Sequence, residues 1–329
     1  MQNALLQVEG LVKHFERPRS LAQRLLGEPQ GVVHAVNGVS LDIHRGETLG
    51  LIGESGCGKS TLGRTLLRLV EPTAGRMLFD GQDLATLPPA AMQRLRARLQ
   101  IIFQDPYASL NPRKSIREIV SLPLRIHGGL AEEALRDRVE AILARVGFRH
   151  DQFDRYPHQF SGGQRQRIGI ARALVTRPDL VVCDEPVSAL DVSIKAQILE
   201  LLGELKAEYQ LTYLFVSHDI ASVGHLADRI AVMYLGRIVE IAPAQALYTN
   251  PQHPYTEALL SAVPIPDPAV KRARIPLLGD VPSPIKPPQG CHFHTRCPIA
   301  KKGLCDVEKP VLKVVGNEPG HQVACHLRG

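Results

Sequence analysis

The stretch GESGCGKST, Gly53 to Thr61, decides which fold this chain can adopt. It fits the phosphate-binding loop pattern, whose required positions are occupied by Gly53, Gly58, Lys59 and Ser60. An apolar run of strand length (ETLGLI, 47–52) precedes the loop, and a run with leucines on one helical face (TLGRTLLRLV, 61–70) follows it. This order predicts an anion site, because the loop N–H groups and the helix dipole both favour negative charge.

Three residues of this loop carry specific expectations. Lys59 would reach the β- and γ-phosphates of a nucleotide, and the Ser60 hydroxyl would bind Mg²⁺. Cys57 occupies a variable position near Lys59 and a helix N-terminus, where the pKa of a thiol can fall. We therefore interpret Cys57 first as a spacer and second as a redox-sensitive residue.

Composition is that of an ordinary globular protein, with 44% hydrophobic and 22% charged residues. A length of 329 residues predicts about two domains. No apolar run reaches the roughly 18 residues of a membrane-spanning helix, and the first residues show no secretory signal pattern. The net charge is +6, and the sequence has no block of five or more like charges. This favours a solvated mixed surface over a nucleic-acid patch.

Strand and helix patterns divide the first part of the chain. Strand-like patterns cover residues 5–16, 32–47 and 76–81, whereas residues from about 88 to 165 are largely helical. Within the helical section, LRDRVEAILARVG (135–147) predicts an amphipathic helix. Its apolar face consists of Leu135, Val139, Ile142, Leu143 and Val146.

Strand–helix alternation then returns. LVVCD (180–184) and TYLFVSHD (212–219) are patterns of buried strands in a parallel sheet, and an apolar helical stripe covers residues 192–208. IAVMYLGRIVEIA (230–242) predicts a hairpin that turns at Leu235 and Gly236.

Two carboxylates, Asp184 and Glu185, directly follow the strand LVVCD. Ligands bind at the carboxyl edge of open α/β sheets, so Asp184 suits Mg²⁺ and Glu185 is placed to polarise an attacking water. FSGGQ (160–164) is a second glycine turn that opens a helix, and SALD (188–191) and His218 come later in the chain. Together with the phosphate loop, these elements stand in one consistent order.

In this combination the chain resembles ATP-binding-cassette (ABC) ATPases over roughly residues 5–245. The resemblance implies an α/β fold, a P-loop NTPase cassette with a RecA-like parallel-sheet core, an antiparallel β subdomain and a helical subdomain at about 88–165. It gives a nucleotide-binding domain at 1–245 and a Pro- and Cys-rich C-terminal extension at 246–329. The family's signature turn usually begins with leucine and begins here with Phe160, which is also apolar.

The family's mechanism, in which two cassettes enclose ATP head to tail, implies a role for each matching residue. Glu185 would be the general base, and His218 would hold the γ-phosphate and the water in line. Phe15 would stack on adenine, although an aromatic residue on an early strand is more often part of the core. The expected catalytic residues are Glu185, His218, Gln104 and Lys59. The expected Mg²⁺ ligands are Ser60, Gln104 and Asp184. The expected nucleotide-binding residues are Phe15, Gly53, Ser55, Gly56, Cys57, Gly58, Lys59, Ser60, Thr61, Gln104, Ser161, Gly162, Gly163, Gln164, Asp184 and Asp191.

The chain beyond about residue 245 is rich in proline, which favours an extended linker over packed helices. It also holds four of the six cysteines: Cys291, Cys297, Cys305 and Cys325. Their spacing lacks the short pairs typical of structural zinc, and four thiolates equally suit an iron–sulfur cluster. A mixed zinc site stays open because of four nearby histidines: His292, His294, His321 and His326.

Further segments are similar to the ATPase subunits of bacterial dipeptide and oligopeptide importers, nearly end to end. They include PYASLNPRKS (106–115), NPQHPYTEALLSAVP (250–264) and VPSPIKPPQGC (281–291). The resemblance implies a [4Fe-4S] cluster on the four tail cysteines, with zinc as the alternative. It also implies a heterodimer with a second ABC ATPase, two transmembrane permeases and a periplasmic solute-binding protein, at the cytoplasmic face of the inner membrane, without nucleic acid.

The expected function is therefore ATP hydrolysis that powers peptide import. Related transporters use the same kind of subunit for nickel, glutathione or a haem precursor, and this chain does not choose the solute. A soluble cassette ATPase of translation or DNA repair would typically carry two cassettes or a long coiled coil, and this sequence has neither. Glu185 and His218 argue against a nucleotide sensor that does not hydrolyse ATP.

Overall fold

The computed structural model of the chain describes residues 4–17, 31–263, 274–316 and 319–328. Strands and helices alternate through these residues. The strands are β1 (Ala4–Glu16), β2 (Val32–His44), β3 (Thr48–Ile52), β4 (Ala74–Phe79), β5 (Gln82–Asp83), β6 (Leu99–Ile102), β7 (Leu180–Asp184), β8 (Thr212–Ser217), β9 (Arg229–Tyr234), β10 (Arg237–Pro243), β11 (Lys313–Val314) and β12 (Gln322–Val323). The helices are α1 (Lys59–Leu66), α2 (Pro89–Leu95), α3 (Pro106–Ser109), α4 (Ile116–His127), α5 (Glu132–Arg145), α6 (Gly162–Leu174), α7 (Val192–Tyr209), α8 (Ile220–Gly224), α9 (Ala244–Thr249) and α10 (Pro254–Ser261).

The chain forms two compact units, and each draws on several segments of sequence. The first unit comprises residues 1–5, 43–48 and 86–217. The second unit comprises the remaining residues, 6–42, 49–85 and 218–329. The limits expected for a nucleotide-binding domain and a C-terminal extension stay a prediction.

A parallel three-stranded group forms the centre of the first unit. Its middle strand, β7, pairs with β6 on one side and with β8 on the other, in register from Leu180 opposite Thr212 to Asp184 opposite Val216. Every residue of β7 and β8 is buried, as a parallel sheet covered on both faces requires. The strand predictions for LVVCD and TYLFVSHD are therefore confirmed.

Helices α2 to α5 occupy the section of the first unit for which helical patterns predominate. Helix α4 begins at a capping box, in which the Ser115 hydroxyl accepts from the Glu118 N–H and the Glu118 carboxylate accepts from the Ser115 N–H. Helix α5 buries the predicted apolar face, and Gly147 follows it with a φ of 96°, as a C-terminal glycine does. The amphipathic helix is confirmed.

The strands of the second unit surround the strand that leads into the phosphate loop. Residues 49–52 of β3 pair in parallel with β9, and β9 turns back into β10 through Leu235 and Gly236, which have φ values of 43° and 79°. Two residues with positive φ match the twist of a tight hairpin, so the predicted turn is confirmed. Strand β10 pairs further with β12, and β12 with β11.

Two predictions about local structure are wrong. Helix α1 ends at Leu66, because Arg68 adopts a left-handed φ of 50°, and Leu69 is 47% exposed instead of lying on the apolar face. The expected linker after residue 245 is wrong for the part that contains helices α9 and α10, whereas residues 274–293, which include VPSPIKPPQG, form neither helix nor strand. Pro254 is the first residue of α10, a position at which its missing N–H costs no hydrogen bond, so proline starts this helix and does not prevent it.

Some expectations fall on residues that the structure does not describe. Most of the polar segment at 17–31 and the PIPDP stretch at 264–268 lie outside the described residues. Among the helices that are described, none combines the length and the apolar character needed to cross a membrane.

The buried face of α5 can be tested by paired substitutions of leucine. Leu143 on α5 is fully buried, whereas Leu122 on α4 is 40% exposed. Truncating a buried leucine leaves a cavity, so we expect L143A to lower the free energy of unfolding by about 2–5 kcal/mol. We expect L122A to change it by about 0.5 kcal/mol or less. Urea denaturation followed by circular dichroism measures both, and equal losses would contradict the burial of Leu143.

Candidate functional site

The phosphate loop of the second unit joins β3 to α1 and depends on two close backbone approaches. Gly53 and Gly58 have φ values of 154° and 107°. A Cβ at Gly53 would lie 2.2 Å from the carbonyl oxygen of Met233, and a Cβ at Gly58 would lie 2.0 Å from that of Ala35. Only glycine fits these positions, and the chain can therefore curl its N–H groups toward the start of α1.

Hydrogen bonds hold the loop in this shape. The Gly236 N–H in the β9–β10 turn donates to the Cys57 carbonyl at 2.9 Å. The Lys59 ammonium is 4% exposed and donates to the carbonyl oxygens of Gly53 at 2.8 Å and Glu54 at 3.0 Å. Lys59 is thus placed at the loop itself, where the sequence predicts a phosphate-binding cation.

The prediction for Cys57 needs correction. The residue is 5% exposed, and this burial raises the pKa of its thiol, although the Lys59 ammonium, 3.8 Å from the sulfur, acts in the opposite direction. A raised pKa and little exposure leave almost no reactive thiolate. The interpretation as a spacer is retained, and the argument for a redox-sensitive residue is lost.

The second residue of the loop, Glu54, contacts two distant parts of the second unit. Its carboxylate accepts two hydrogen bonds from the Arg296 guanidinium, at 2.8 and 3.2 Å. Its backbone N–H donates to the Tyr255 hydroxyl at 2.9 Å. Sequence reasoning missed both partners, because no local pattern reports a contact across 242 residues of chain.

In the first unit, the structure brings two predicted catalytic residues together. The Gln104 side-chain amide, after β6, donates to the Glu185 carboxylate, after β7, at 2.9 Å. Glu185 has a φ of 48°, which is strained for a residue with a side chain, and its N–H donates to the Val216 carbonyl at 3.0 Å. Such strain is concentrated at functional sites, where the surroundings fix a side chain in a direction that it would not otherwise take.

The donors expected for Mg²⁺ have suitable chemistry. Asp184 ends β7 and is 1% exposed, and the Gln104 amide donates through its nitrogen, which leaves its oxygen as the group able to bind a cation. Ser60, at the start of α1, adds a hydroxyl oxygen. Carboxylate, amide and hydroxyl oxygens are ligands that Mg²⁺ accepts, so the chemistry of each of these side chains suits the ion.

The signature turn begins helix α6. Ser161 caps the helix in a reciprocal pair with Gln164, and the first turn carries no acidic residue. A Cβ at Gly163 would lie 2.4 Å from the Ile194 side chain, so the helix start packs closely against α7. Phe160 is buried edge-to-face against Phe148, with ring centroids 5.3 Å apart, and thus fills an apolar position as expected.

An arginine that the sequence analysis missed stabilises this helix start. Arg165 is 6% exposed, stacks over the Tyr107 ring at 3.7 Å and donates to the Pro157 carbonyl at 2.7 Å. No short-range pattern distinguishes it from the other arginines of α6. It joins the turn after β6 to the signature helix within the first unit.

Of the remaining predicted residues, Thr61 and Gly162 are half-buried, and the others lie at the surface. Phe15 is 40% exposed near the end of β1, with the Lys13 ammonium 4.8 Å from its ring centroid, so it is not a core residue. Ser55 and Gly56 are exposed on the phosphate loop. Asp191, before α7, is also exposed, and His218 directly follows β8.

The metal site expected in the C-terminal region is wrong. Among the residues that the structure describes, which include all four tail cysteines, no group of three or more His, Cys, Asp or Glu side chains could hold a metal ion. The backbone N–H of Cys291 does donate to the Cys305 carbonyl at 2.8 Å. Burial, together with the neighbouring thiols of Cys297, Cys325 and Cys305, raises the pKa of the Cys291 thiol to about 11.

The C-terminal region is held in place by contacts within the protein. The histidines that kept a mixed zinc site open bond elsewhere, since His292 Nδ1 lies 3.0 Å from the Leu235 carbonyl oxygen and His321 Nε2 lies 2.7 Å from the Glu240 carboxylate. Phe293 is 1% exposed. Packing and hydrogen bonds within the protein thus hold these residues in place.

Comparisons with known proteins agree with the fold and the motifs. The family model described as ABC transporter matches residues 36–188. The model described as oligopeptide/dipeptide transporter, C-terminal region, matches residues 239–305. The oligopeptide transport ATP-binding protein AppF of Bacillus subtilis is 51% identical over 329 residues, covering 99% of this chain and 98% of AppF. The chain belongs to the ABC transporter ATPases.

Other ABC proteins show the same likeness. A putative peptide import ATP-binding protein of Brucella ovis is 53% identical over 325 residues, with 98% of both chains covered. The dimeric cassette MJ0796 bound to ADP and Pi has a TM-score of 0.63 at 28% identity and covers 73% of this chain and 98% of its own. The cassette cbiO1 of Clostridium perfringens has a TM-score of 0.64 at 30% identity, with 75% and 91% covered. The predicted fold, a P-loop ABC cassette, is confirmed, and this ABC protein is an ATPase.

Gly58 of the phosphate loop and Gly81, between β4 and β5, form a matched test of the loop. Both have positive φ, but only a Cβ at Gly58 would meet backbone, since nothing lies within 4 Å of a Cβ at Gly81. Gly81 lies outside the phosphate loop, so we expect G81A to cost about 1–2 kcal/mol of stability and to retain nucleotide binding. We expect G58A to abolish binding of a fluorescent ATP analogue at concentrations that saturate the wild type. Equal affinity in the two variants would contradict the close approach at Ala35.

Proposed function

We propose that this chain is the ATP-hydrolysing subunit of a membrane transporter that imports oligopeptides and dipeptides. The observation that carries the proposal is identity of 51–53% over nearly the full length with proteins named for oligopeptide transport or peptide import. The match to the C-terminal region of oligopeptide and dipeptide transporters supports the peptide substrate in particular. That region is separate from the motifs that ABC ATPases share.

Glu185 is the general base in this proposal. Its carboxylate accepts the proton of the attacking water, and its bond with Gln104 fixes the direction of the carboxylate. His218 holds the γ-phosphate and the water in line, and Lys59 neutralises the charge of the β- and γ-phosphates. Phe15 contributes an exposed ring for the adenine.

Magnesium would be held by Ser60, Gln104 and Asp184 in this proposal. When bound, the ion neutralises charge that develops on the phosphate oxygens. Gln104 then has two functions, since its amide oxygen binds the ion while its nitrogen donates to Glu185. Movement of this residue would thus alter both the metal ligands and the general base.

The signature turn would act on the nucleotide held by a second cassette. Ser161 and Gly163 stand at the start of α6, which has no acidic residue in its first turn, and the helix dipole there favours a phosphate. We propose a heterodimer with a related ABC ATPase, two permeases that span the inner membrane, and a periplasmic solute-binding protein. The assembly places this chain at the cytoplasmic face, where ATP is available.

The role of Glu185 can be tested with E185Q. The substitution removes the base but keeps the size of the side chain, so we expect ATPase activity to fall by about 10²–10⁴-fold while ATP binding is retained. The matched control is E200Q, at an exposed position on α7, which should keep wild-type activity. Steady-state phosphate release by the full transporter measures both, and unchanged activity in E185Q would exclude Glu185 as the base.

The assembly can be tested by purifying the tagged full-length chain from membranes solubilised in mild detergent. Mass spectrometry should identify a second ABC ATPase and two permeases that span the membrane several times. The binding protein encoded with them should bind peptides when it is tested with a peptide mixture. Recovery with ribosomes or DNA, and without permeases, would contradict the transport function and leave only the ATPase.

A further inference from the structure

Glu54 is the only acidic residue within the phosphate loop sequence, and every polar group of its backbone and side chain has a partner in the second unit. Its N–H donates to Tyr255, its carbonyl accepts from Lys59, and both carboxylate oxygens accept from Arg296. The two bonds from Arg296 form the bidentate geometry in which arginine fixes both the position and the orientation of a carboxylate.

The arginine itself is held firmly. Its side chain is 6% exposed, and it ends a short helical turn, His294–Arg296, that follows the buried ring of Phe293. Phe293 packs against Tyr234 and Tyr255, with ring centroids 5.2 and 5.4 Å away. The guanidinium is therefore positioned by an aromatic cluster and does not depend on solvent-exposed contacts.

The contact between Arg296 and Glu54 also affects Lys59, because Glu54 accepts a hydrogen bond from this lysine. Lys59 donates to the carbonyl oxygens of Gly53 and Glu54, so the conformation of Glu54 sets one of the two acceptors that place the ammonium. A change in the conformation of Glu54 would therefore shift the ammonium with which Lys59 contacts a phosphate. Arg296 acts at a distance from the nucleotide, through Glu54 and the loop backbone.

Besides orienting Glu54, the ion pair with Arg296 also neutralises its charge. The Glu54 carboxylate belongs to a loop whose expected ligand, a nucleoside triphosphate, is strongly anionic. Without a cation beside it, the carboxylate would repel the phosphates, and its partial burial at 26% exposure would weaken screening by salt. Arg296 neutralises the carboxylate at the place where an unpaired negative charge would be most unfavourable.

We propose that Arg296, in the C-terminal region, is a positioning residue for ATP binding. It orients and neutralises Glu54 of the phosphate loop and so raises the affinity for the nucleotide. The proposal rests on the proposed ATPase function and adds to it a role for the segment that matches the oligopeptide/dipeptide transporter C-terminal region. ATP affinity in this subunit then depends on a segment outside the motifs that bind ATP.

The test is a double-mutant cycle on the full-length chain, with the affinity for a fluorescent ATP analogue as the readout. We expect R296A to weaken binding on the order of tenfold, the scale of coupling between groups in direct contact. Glu54→Gln removes the negative charge and serves as the second background of the cycle. In that background R296A should weaken binding by less than about threefold, because no repelling carboxylate remains.

This smaller effect separates a positioning role from a merely structural one. If Arg296 only stabilised the fold, removing the Glu54 charge would not reduce the effect of R296A. The R296A defect should also shrink as salt is raised, and it should be smaller for an ADP analogue than for an ATP analogue, since both changes reduce repulsion. In the transporter, KM for ATP should rise while kcat stays within about twofold.

Arg328, later in the C-terminal part of the chain, supplies the control. It pairs with Glu257 on α10 at 3.0 Å, so R328A removes a tail ion pair that does not involve the loop, and it should bind ATP as the wild type does. R296A with the affinity of R328A would overturn the proposal. If R296A does not fold, a folded E54Q/R296A variant that binds more than about threefold more weakly than E54Q would overturn it equally. Absence of binding by the wild type would instead contradict the proposed function.

Discussion

The close approach of the phosphate loop to neighbouring backbone is the constraint on which the second unit depends. Gly53 and Gly58 lie so near the carbonyl oxygens of Met233 and Ala35 that a methyl group would not fit at either position. The loop can therefore keep its shape only while β2 and β9 keep theirs. The nine-residue motif can therefore adopt its conformation only if β2 and β9, which lie outside it in sequence, hold their positions.

Patterns of short range predicted a large part of the fold. Buried parallel strands such as Leu180–Asp184 are visible because both faces must be apolar, and the turn at Leu235 and Gly236 is visible because the strands on either side have a defined period. The phosphate loop and the carboxylates after β7 were found for the same reason, since their chemistry lies in contiguous residues. Gln104 was expected only from the family resemblance, and the structure places its amide 2.9 Å from the Glu185 carboxylate.

The wrong predictions were those that inferred geometry from amino-acid composition alone. Proline suggested a linker after residue 245, yet Pro254 occupies the first position of α10, where its missing N–H costs no hydrogen bond. Four cysteines suggested a metal, yet no group of side chains able to hold a metal ion exists among the described residues. Arg296 could not be predicted at all, because the residue that it orients is 242 positions away.

The buried contact between His321 and Glu240 has a consequence for biosynthesis. Glu240 is fully buried, and its carboxylate accepts from the N–H groups of Gln252 and His253 as well as lying 2.7 Å from the His321 ring. His321 is translated 81 residues after Glu240, an interval of roughly 4 to 16 s at ordinary rates of synthesis. During that interval the edge of β10 lacks β12, its later partner, and is open to pairing with other nascent chains. Faster translation of residues 241–323 would shorten the time for which this edge stays without its partner strand.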